Sequence, residues 1–422
     1  MPITLSLRTD EVRASVKLPH SKSVWNRALM INAYAGMPLL DSCEQMPSDV
    51  KQMREAIETV RSGQTTVDSG EAGTVARFVM TWLAMTPGCR VMTGSQRMLQ
   101  RPIAPLVEAL RGLGASIEYL DKDDFLPVRI EGGLIQGGEV SLTSTMSSQY
   151  ASSLLLAAPM WPKGLVLHLP DKMPSLPYVD MTLAVMRRFG AIARREGNVV
   201  VVQHQPYHDV GMFQIPADWS AASYWYEIAA LSKDCDIFLQ GLELGDERLE
   251  DSGFQGDSIA AQLFKPFGIL TNHEANGVRL RKSSRTESCE AMLHFDVSLC
   301  PDLFPSLYVT CVALRRPAVF SGIKNLSLKE SDRVEALTTE LSKYYTFINI
   351  ISDDEIKIFD IMIKCNTNQQ DKPFLETYND HRVAMSLAPL ILQQSILPMN
   401  HPEVVEKSYP SYWSDIQSFA YF

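Results

Sequence analysis

Two cations beside a helix start form the first stretch of this chain that could do chemistry. Lys22 and Arg27 lie where a polar loop leads into a helix predicted over residues 24–34. The amino end of a helix already carries partial positive charge, so two cations there conflict with its dipole. A bound anion would resolve the conflict, because backbone N–H groups, the hydroxyls of Ser21 and Ser23 and both cations could converge on it. The alternative is a solvated lysine on an exposed turn.

The elements that must position such loops recur along the chain. Each loop leads into a segment rich in Ala, Leu, Met or Val on most faces, which is typical of a buried helix. Between these segments, amphipathic helices end at Gly114, Gly190 and Gly268, and each is followed by an apolar strand pattern. The spacing predicts an α/β module used several times. Buried helices are predicted over residues 24–34, 75–85, 150–158, 221–231, 303–314 and 383–392.

Length and charge limit the domain count and the partners. At 422 residues the chain exceeds one ordinary core, so two domains are expected, with the break near residues 214–218. Its composition, 45% hydrophobic and 21% charged, is that of an ordinary globular protein. The net charge of −10 argues against nucleic acid or an acidic membrane as the main partner. An anion site must therefore be a local cluster of cations.

Cysteine usage and hydropathy predict the compartment. The seven cysteines are scattered, odd in number and never form C-x-x-C, which favours neither a disulfide framework nor a zinc site. Residues 1–10 alternate like a strand and lack the apolar core of a signal peptide. The cysteine pattern fits a reduced cytoplasm best, so we expect a cytoplasmic protein. No apolar run is long enough to span a bilayer.

An ordered set of short motifs resembles the 5-enolpyruvylshikimate-3-phosphate synthase family of enolpyruvyl transferases. Residues 18–27, L-P-H-S-K-S-V-W-N-R, resemble the family's L-P-G-S-K-S-x-S-N-R. A lone S-K-S would be weak evidence, but the ordered set covers nearly the whole chain, from residue 18 to residue 413. The further matches are A-G-T (72–74), Q-R-P-I (100–103), S-S-Q-Y (147–150), P-Y-V-D (177–180), P-D (301–302), K-E-S-D-R (329–333), Y-N-D-H-R (378–382) and K-S-Y-P (407–410).

The resemblance implies an α/β fold of two domains, each built from three βαβαββ units around buried helices, with the active site in the cleft between the domains. It places a first strand, residues 1–13, in the second domain. The first domain is then residues 14–216 and the second is residues 217–422. Residues 39–69 are fewer than the family usually needs, which predicts a first unit shortened by a strand or two.

The implied reaction joins the enolpyruvyl group of phosphoenolpyruvate to the 5-hydroxyl of shikimate 3-phosphate and releases phosphate. The resemblance implies no metal and no organic cofactor, and we expect a monomer with no nucleic-acid or membrane partner. Asp302 is the implied base toward the 5-hydroxyl and Glu330 the group at the methylene carbon, with Lys22 as a possible proton donor. The alternative for Glu330 is a first-turn helix acid.

The resemblance also carries two sets of binding residues, and a bound anion would offset the repulsion among the cations. Those for phosphoenolpyruvate are Lys22, Gly73, Arg101, Gln149, Arg333, Arg382 and Lys407. Those for shikimate 3-phosphate are Lys22, Ser23, Arg27, Ser147, Ser148, Gln149, Ser175, Tyr178, Asp302, Asn325 and Lys329.

Simpler interpretations stand beside several of these residues. Ser147 and Ser148 could be N-capping residues alone. His381 is interpreted as a packing or hydrogen-bonding residue rather than half of a catalytic dyad, because no Ser or Cys has a recognisable nucleophile setting. Arg77 is interpreted as a buried structural cation. Glu71 stands where the family commonly has asparagine, and a carboxylate there should weaken anion binding unless a cation pairs with it.

Two rival functions remain open at this point. The sister enolpyruvyl transferase that acts on UDP-N-acetylglucosamine resembles this fold, but it carries a cysteine where this chain has Gln96. The other rival is a catalytically silent homologue that binds anions.

Overall fold

The structure, a computed structural model, describes residues 1–40, 46–143, 147–242, 255–283, 291–364 and 372–422. Cys43, Cys289 and Cys365 lie outside these residues, and the other four cysteines are free thiols. The helices are α1 (Lys22–Tyr34), α2 (Ser48–Arg61), α3 (Gly73–Met85), α4 (Ala104–Gly112), α5 (Ser148–Ala157), α6 (Pro177–Arg188), α7 (Trp219–Leu231), α8 (Ala260–Leu263), α9 (Phe304–Ala313), α10 (Arg333–Leu341), α11 (His381–Leu387), α12 (Ile391–Gln394) and α13 (Tyr412–Asp415).

Short strands alternate with these helices along the chain. They are β1 (Ile3–Leu7), β2 (Glu11–Lys17), β3 (Thr66–Asp68), β4 (Gly88–Thr93), β5 (Ser116–Tyr119), β6 (Val128–Gly132), β7 (Gly138–Ser141), β8 (Leu165–His168), β9 (Ala193–Glu196), β10 (Val199–Val202), β11 (Asp234–Gln240), β12 (Ile269–Glu274), β13 (Gly277–Lys282), β14 (Leu293–Asp296), β15 (Ala318–Ser321), β16 (Tyr345–Ile351), β17 (Glu355–Ile363), β18 (Ile396–Met399) and β19 (Ala420–Tyr421).

The described chain divides into two compact units. The terminal unit comprises Met1–His20 and the described residues from Pro216 onward, and the inserted unit comprises the described residues of Ser21–Ile215. The terminal unit therefore takes in residues 14–20, which we expected in the other domain. The reason is that β2 pairs with β11 in parallel along its whole length, from Glu11 opposite Asp234 to Lys17 opposite Gln240.

Four copies of one βαβαββ module account for most of the strands. In the inserted unit, β3-α3-β4-α4-β5-β6 forms a sheet of order β3-β4-β6-β5, and β7-α5-β8-α6-β9-β10 forms one of order β7-β8-β10-β9. In the terminal unit, β14-α9-β15-α10-β16-β17 repeats that order. There the sheet β12-β13-β11-β2 is interrupted, because the whole inserted unit lies between its first strand, β2, and its first helix, α7.

The remaining module of each unit is reduced. Described residues 21–40 and 46–65 form α1 and α2 but no strand, in agreement with the predicted shortening of the first unit. In the terminal unit the described part of the third module comprises α11, α12, α13 and the antiparallel sheet β18-β1-β19. Each unit packs its helices around a hydrophobic cluster of its own.

Five of the six predicted buried helices begin earlier than their apolar residues indicate, whereas α9 begins one residue later, at Phe304. The structure starts α1, α3, α5, α7 and α11 two residues before the predicted positions, because residues of the preceding loops form the first helical turn. Ser21 caps α1, with its hydroxyl accepting from the Val24 N–H at 3.4 Å. Gly36, with φ of 67°, follows the end of α1 as predicted. As a result, the candidate loop residues are held on rigid helix termini.

Candidate active site

Arg333 is the centre of a buried charge cluster in the terminal unit. It is the first residue of α10, and its side chain is only 1% exposed. Its Nε donates to Asp380 Oδ2 at 2.9 Å, Nη1 to Asp302 Oδ1 at 3.0 Å and Nη2 to Glu330 Oε2 at 2.9 Å. Burial alone would lower the pKa of Arg333, but the carboxylates around it outweigh burial and raise that pKa. Each edge of the guanidinium is thus matched by a carboxylate.

Asp302 joins further cations to this cluster. It lies in the 3₁₀ turn Pro301–Leu303 that leads into α9. Its Oδ2 accepts from Arg382 Nη2 at 2.8 Å, and its Oδ1 lies 3.9 Å from Lys329 Nζ. Burial lowers the pKa of Lys329, and the charge of Asp302 partly offsets that effect. Three cations therefore surround the carboxylate that the resemblance implies as the base.

Asp380 connects the cluster to the start of α11. Its Oδ1 accepts from the Arg382 backbone N–H at 2.9 Å as an N-cap, and its Oδ2 also accepts from Ser331 Oγ at 3.0 Å. His381 is 1% exposed, in keeping with its interpretation as a packing or hydrogen-bonding residue. Its Nδ1 lies 3.9 Å from Asp380 Oδ1. Asp380 is thus a structural acid that holds Arg333 and Arg382 in place.

The cations of this cluster are neutralised by the protein itself. Arg333, Arg382 and Lys329 provide three positive charges, and three negative charges come from Asp302, Glu330 and Asp380. The expectation that a bound anion is needed to hold the cations together is therefore wrong for the terminal unit. The physical reason is that ionised side chains can be buried when they are paired and hydrogen-bonded.

Two other predicted residues of the terminal unit, Lys407 and Asn325, lie near segments that carry the charge cluster. Lys407 Nζ donates to the carbonyl of Asn379, the residue before Asp380, at 3.0 Å. Asn325 lies in the 3₁₀ helix Lys324–Leu328, directly before Lys329. Both stay predicted substrate contacts.

In the inserted unit, the starts of α3 and α5 bring together Gly73, Arg101 and Gln149. A Cβ atom on Gly73 would lie 2.8 Å from Arg101 Nη1, so the arginine packs directly over the first turn of α3. Gln149 accepts from Arg77 Nη1 at 2.6 Å and donates to Thr74 Oγ1 at 3.0 Å. Arg77 is buried over the Tyr150 ring, in keeping with a structural role. Gln149 therefore bridges the two helix starts.

The buried side chain of Arg27, on α1, links this helix to α5 and α6 by hydrogen bonds. Its guanidinium donates to Thr182 Oγ1 at 2.7 Å, to Ser152 Oγ at 3.2 Å and to the Tyr178 carbonyl at 3.2 Å. It also donates to the Ser23 carbonyl, one helical turn earlier, at 2.8 Å. Burial lowers the pKa of Arg27 to about 10. Its predicted contact with shikimate 3-phosphate thus stands beside an observed packing role.

Lys22 is paired with a residue that no motif identified. Its Nζ donates to Asp49 Oδ2 at 2.9 Å, and both side chains are partly buried. Asp49 lies in the first turn of α2, where an acid is a common feature of a helix start. Because such acids are usually structural, local sequence alone gives no signal that this one faces Lys22.

The remaining predicted contacts lie at helix starts of the inserted unit. Ser147 caps α5 by accepting from the Gln149 N–H at 3.3 Å, which agrees with the N-capping interpretation. Ser148 is the first residue of α5 and is buried. Ser175 has a positive φ of 58°, and its backbone carbonyl accepts from the Tyr178 N–H at 3.0 Å. Capping does not exclude the binding roles, which stay predictions.

Asp257, in the turn before α8, is another acid near the cluster that no motif identified. It is buried, and its Oδ2 accepts from Ser220 Oγ on α7. Among the described residues there is no group of three or more His, Cys, Asp or Glu side chains that could hold a metal ion. No described helix combines the length and apolar character that a bilayer crossing requires.

Comparisons with known proteins identify the family. The model of the EPSP synthase (3-phosphoshikimate 1-carboxyvinyltransferase) family matches residues 8–416. A 3-phosphoshikimate 1-carboxyvinyltransferase from Bacteroides fragilis is 40% identical over 97% of this chain and 95% of its own length. One from Xenorhabdus nematophila is 29% identical, covering 97% of each chain.

Solved structures agree on the fold. EPSP synthase from Acinetobacter baumannii superposes with a TM-score of 0.72 over 99% of this chain and 98% of that chain, at 20% identity. By its sequence, over nearly its entire length, the chain belongs to the EPSP synthase family.

Proposed function

We propose that this chain transfers the enolpyruvyl group of phosphoenolpyruvate to the 5-hydroxyl of shikimate 3-phosphate and releases phosphate. The observation that carries the proposal is the Asp302 carboxylate, which Arg333 and Arg382 hold by hydrogen bonds of 3.0 and 2.8 Å. A fixed carboxylate among cations suits a base that must act on an anionic substrate. Membership of the family supports this reaction, and nothing observed favours the transferase for UDP-N-acetylglucosamine.

The reaction needs proton transfer at two atoms. In the addition step, Asp302 takes the proton of the 5-hydroxyl while the hydroxyl oxygen bonds to C2 of phosphoenolpyruvate. The methylene carbon of phosphoenolpyruvate gains a proton. In the elimination step that carbon loses a proton, the double bond re-forms and phosphate leaves C2. Glu330, which accepts from Arg333 Nη2 at 2.9 Å, is proposed to act at the methylene carbon, with Lys22 as a possible proton donor.

The cations are proposed to bind the carboxylate and phosphate groups of the substrates. Arginine suits this task because its planar fork matches both groups, whereas lysine acts as a compact charge. On the terminal unit these residues are Arg333, Arg382, Lys329 and Lys407, and on the inserted unit they are Lys22 and Arg101. When a substrate binds, its negative charge can compete with Asp302, Glu330 or Asp49 for these partners.

The same proposal extends to the setting in which the enzyme works. We propose that it acts in the cytoplasm as a monomer, without a nucleic-acid or membrane partner. The net charge of −10 supports the absence of a polyanionic partner. Sedimentation of the purified protein would test the monomer, since a mass of about twice 47.2 kDa would contradict it.

A coupled assay for phosphate release tests the reaction directly. We expect release with phosphoenolpyruvate and shikimate 3-phosphate together, and none when UDP-N-acetylglucosamine replaces shikimate 3-phosphate. Release with the nucleotide sugar instead would support the sister reaction. Binding of shikimate 3-phosphate without release in either assay would identify a silent homologue and contradict the proposal.

A further inference from the structure

Asp257 is a buried acid, and one of its carboxyl oxygens has no hydrogen-bond partner among the described residues. It lies in the 3₁₀ turn Gly256–Ile259 and is 3% exposed. Its Oδ2 accepts a short hydrogen bond from Ser220 Oγ, whereas its Oδ1 has no hydrogen-bond partner among the described residues. A buried carboxylate oxygen without a donor is costly when the group is ionised. The geometry therefore favours the protonated acid.

The neighbouring residue fixes the turn to the start of α7. Gln255 Oε1 accepts from the Trp219 N–H at 2.6 Å, and Gln255 Nε2 donates to Asp218 Oδ1 at 2.6 Å. Asp218 and Gln255 are both buried. These two bonds and the one from Ser220 hold Asp257 in place, so it cannot relieve its burial by turning toward solvent.

Helix α7 also contacts the part of the chain that carries Asp302. The turn Pro301–Leu303, which carries Asp302, also packs against α7. Tyr224 lies one helical turn beyond Ser220, and although burial raises the pKa of its phenol, the charges of Arg382 and Arg333 act in the opposite direction. The helix that holds Asp257 through Ser220 thus also contacts the turn that carries Asp302.

Electrostatics link Asp257 to that pair. Burial, and after it the negative charge of Asp302, raise the pKa of Asp257 to about 7. Arg382 and the Ser220 hydroxyl act in the opposite direction. The charged or titratable groups that face Asp257 are Asp302, Arg382, Asp218 and Cys300.

We propose that Asp257 is a positioning residue whose proton controls the charge beside Asp302 and Arg382, so that the protonated acid favours substrate binding and the ionised acid opposes it. This inference rests on the proposed function, because it assumes that an anionic substrate binds at the pair. Ionised Asp257 adds a negative charge there and competes with the substrate for Arg382. The protonated acid does neither.

Calorimetric binding of shikimate 3-phosphate tests the proposal, with wild type compared with Asp257→Asn. The asparagine copies the neutral acid at every pH. Between about pH 6 and about pH 9, wild type should lose roughly tenfold more affinity than the variant. Above about pH 7, wild type should also take up a proton on binding that the variant does not, as measured in buffers of different ionisation enthalpy. The ionisation of the substrate itself cancels in the comparison.

Ser220→Ala is the matched variant. It removes the hydrogen bond that favours ionised Asp257, so the loss of affinity should move to higher pH. A merely structural role would instead lower affinity equally at all pH values in Asp257→Asn. Equal pH dependence of wild type and Asp257→Asn, or an unshifted profile in Ser220→Ala, would overturn the proposal.

A second measurement separates this proposal from the proposed function. In protein with ¹³C-labelled aspartate carboxyls, the signal lost in Asp257→Asn should titrate near neutral pH, and inorganic phosphate should raise its midpoint. Titration near pH 4, or no response to phosphate, would overturn the role of Asp257 whatever the enzyme catalyses. A phosphate-responsive signal in a protein that does not bind shikimate 3-phosphate would support the charge coupling and reject the proposed function alone.

Discussion

The Arg382 guanidinium donates to both the side chain and the backbone of Asp302. Nη2 donates to the Asp302 carboxylate at 2.8 Å, while Nη1 donates to the Asp302 carbonyl at 3.4 Å. The carboxylate is therefore fixed within the 3₁₀ turn that leads into α9, and it cannot change rotamer without breaking a charged hydrogen bond. This rigidity is what a base with a defined direction of attack requires.

Replacing Arg382 by lysine should show how much this double contact contributes. Lysine keeps the charge but cannot donate to both oxygens in one plane. We expect Arg382→Lys to lose roughly 10- to 100-fold in kcat/KM, or about 1.4 to 2.8 kcal/mol. The assay is phosphate release under initial-rate conditions. Arg281→Lys, at an exposed ion pair with Asp236, is the control and should stay near wild type.

The proton-transfer roles are tested by neutral isosteres. Asp302→Asn and Glu330→Gln should each lower kcat by at least about 100-fold, because each removes a group that exchanges a proton in the transition state. Calorimetry should still detect binding of shikimate 3-phosphate. Asp234→Asn, at an exposed pair with Arg13, is the matched control. Turnover near wild type with normal binding would reject the assigned role.

Gly73 should not tolerate a side chain. The Cβ of Gly73→Ala would approach Arg101 Nη1 to 2.8 Å and would also crowd Arg77, so the guanidinium groups must shift. We expect KM for phosphoenolpyruvate to rise roughly tenfold or more, since small displacements of a binding group are costly. Gly112→Ala is the control, because its Cβ meets nothing within 4 Å, and it should stabilise α4 by up to about 1 kcal/mol. An unchanged KM in Gly73→Ala would show that Arg101 does not contact phosphoenolpyruvate.

Glu227 makes stability depend on pH. This residue of α7 is fully buried, neither carboxyl oxygen has a hydrogen-bond partner among the described residues, and burial raises its pKa well above the ordinary 4.5. The folded state therefore keeps a proton that the unfolded state releases, and the free energy of unfolding falls as pH rises above about 4.5.

Urea unfolding of Glu227→Gln isolates this effect. Relative to wild type, the variant should gain about 1.4 kcal/mol per pH unit until the folded carboxyl ionises. Glu108→Gln, at an exposed position on α4, should show no such trend. A constant difference between wild type and Glu227→Gln from pH 5 to pH 8 would mean that Glu227 is not held protonated.

Local sequence located the buried helices to within two residues at their starts. Ser21 caps α1 because its hydroxyl reaches an N–H three residues later, and Gly36 ends the helix because it adopts a positive φ. Both signals lie within a few residues of the feature they specify. The two-residue error at several helix starts arose because polar first turns carry no apolar periodicity.

Hydrogen bonds between residues that are far apart in the sequence could not be predicted from local patterns. Lys22 donates to Asp49, which lies 27 residues away in sequence, and Arg382 donates to Asp302, which lies 80 residues away. Such partners depend on which helix ends the folded chain brings together. The expectation that a bound anion must hold the cations together was wrong for the same reason, since the motifs name the cations and the acids but not which of them pair.

By itself, the sequence determined the family, the α/β modules and the identity of Asp302, Glu330, Arg333 and Arg382 as candidate residues. These depend on local patterns of residue type and on their order along the chain. The non-local relationships needed the folded chain: Asp302 is shared by two arginines, β2 pairs with β11, and Asp257 is buried with one unpartnered carboxyl oxygen. Those relationships arise from non-local hydrogen bonds and burial, which form only when distant segments pack together.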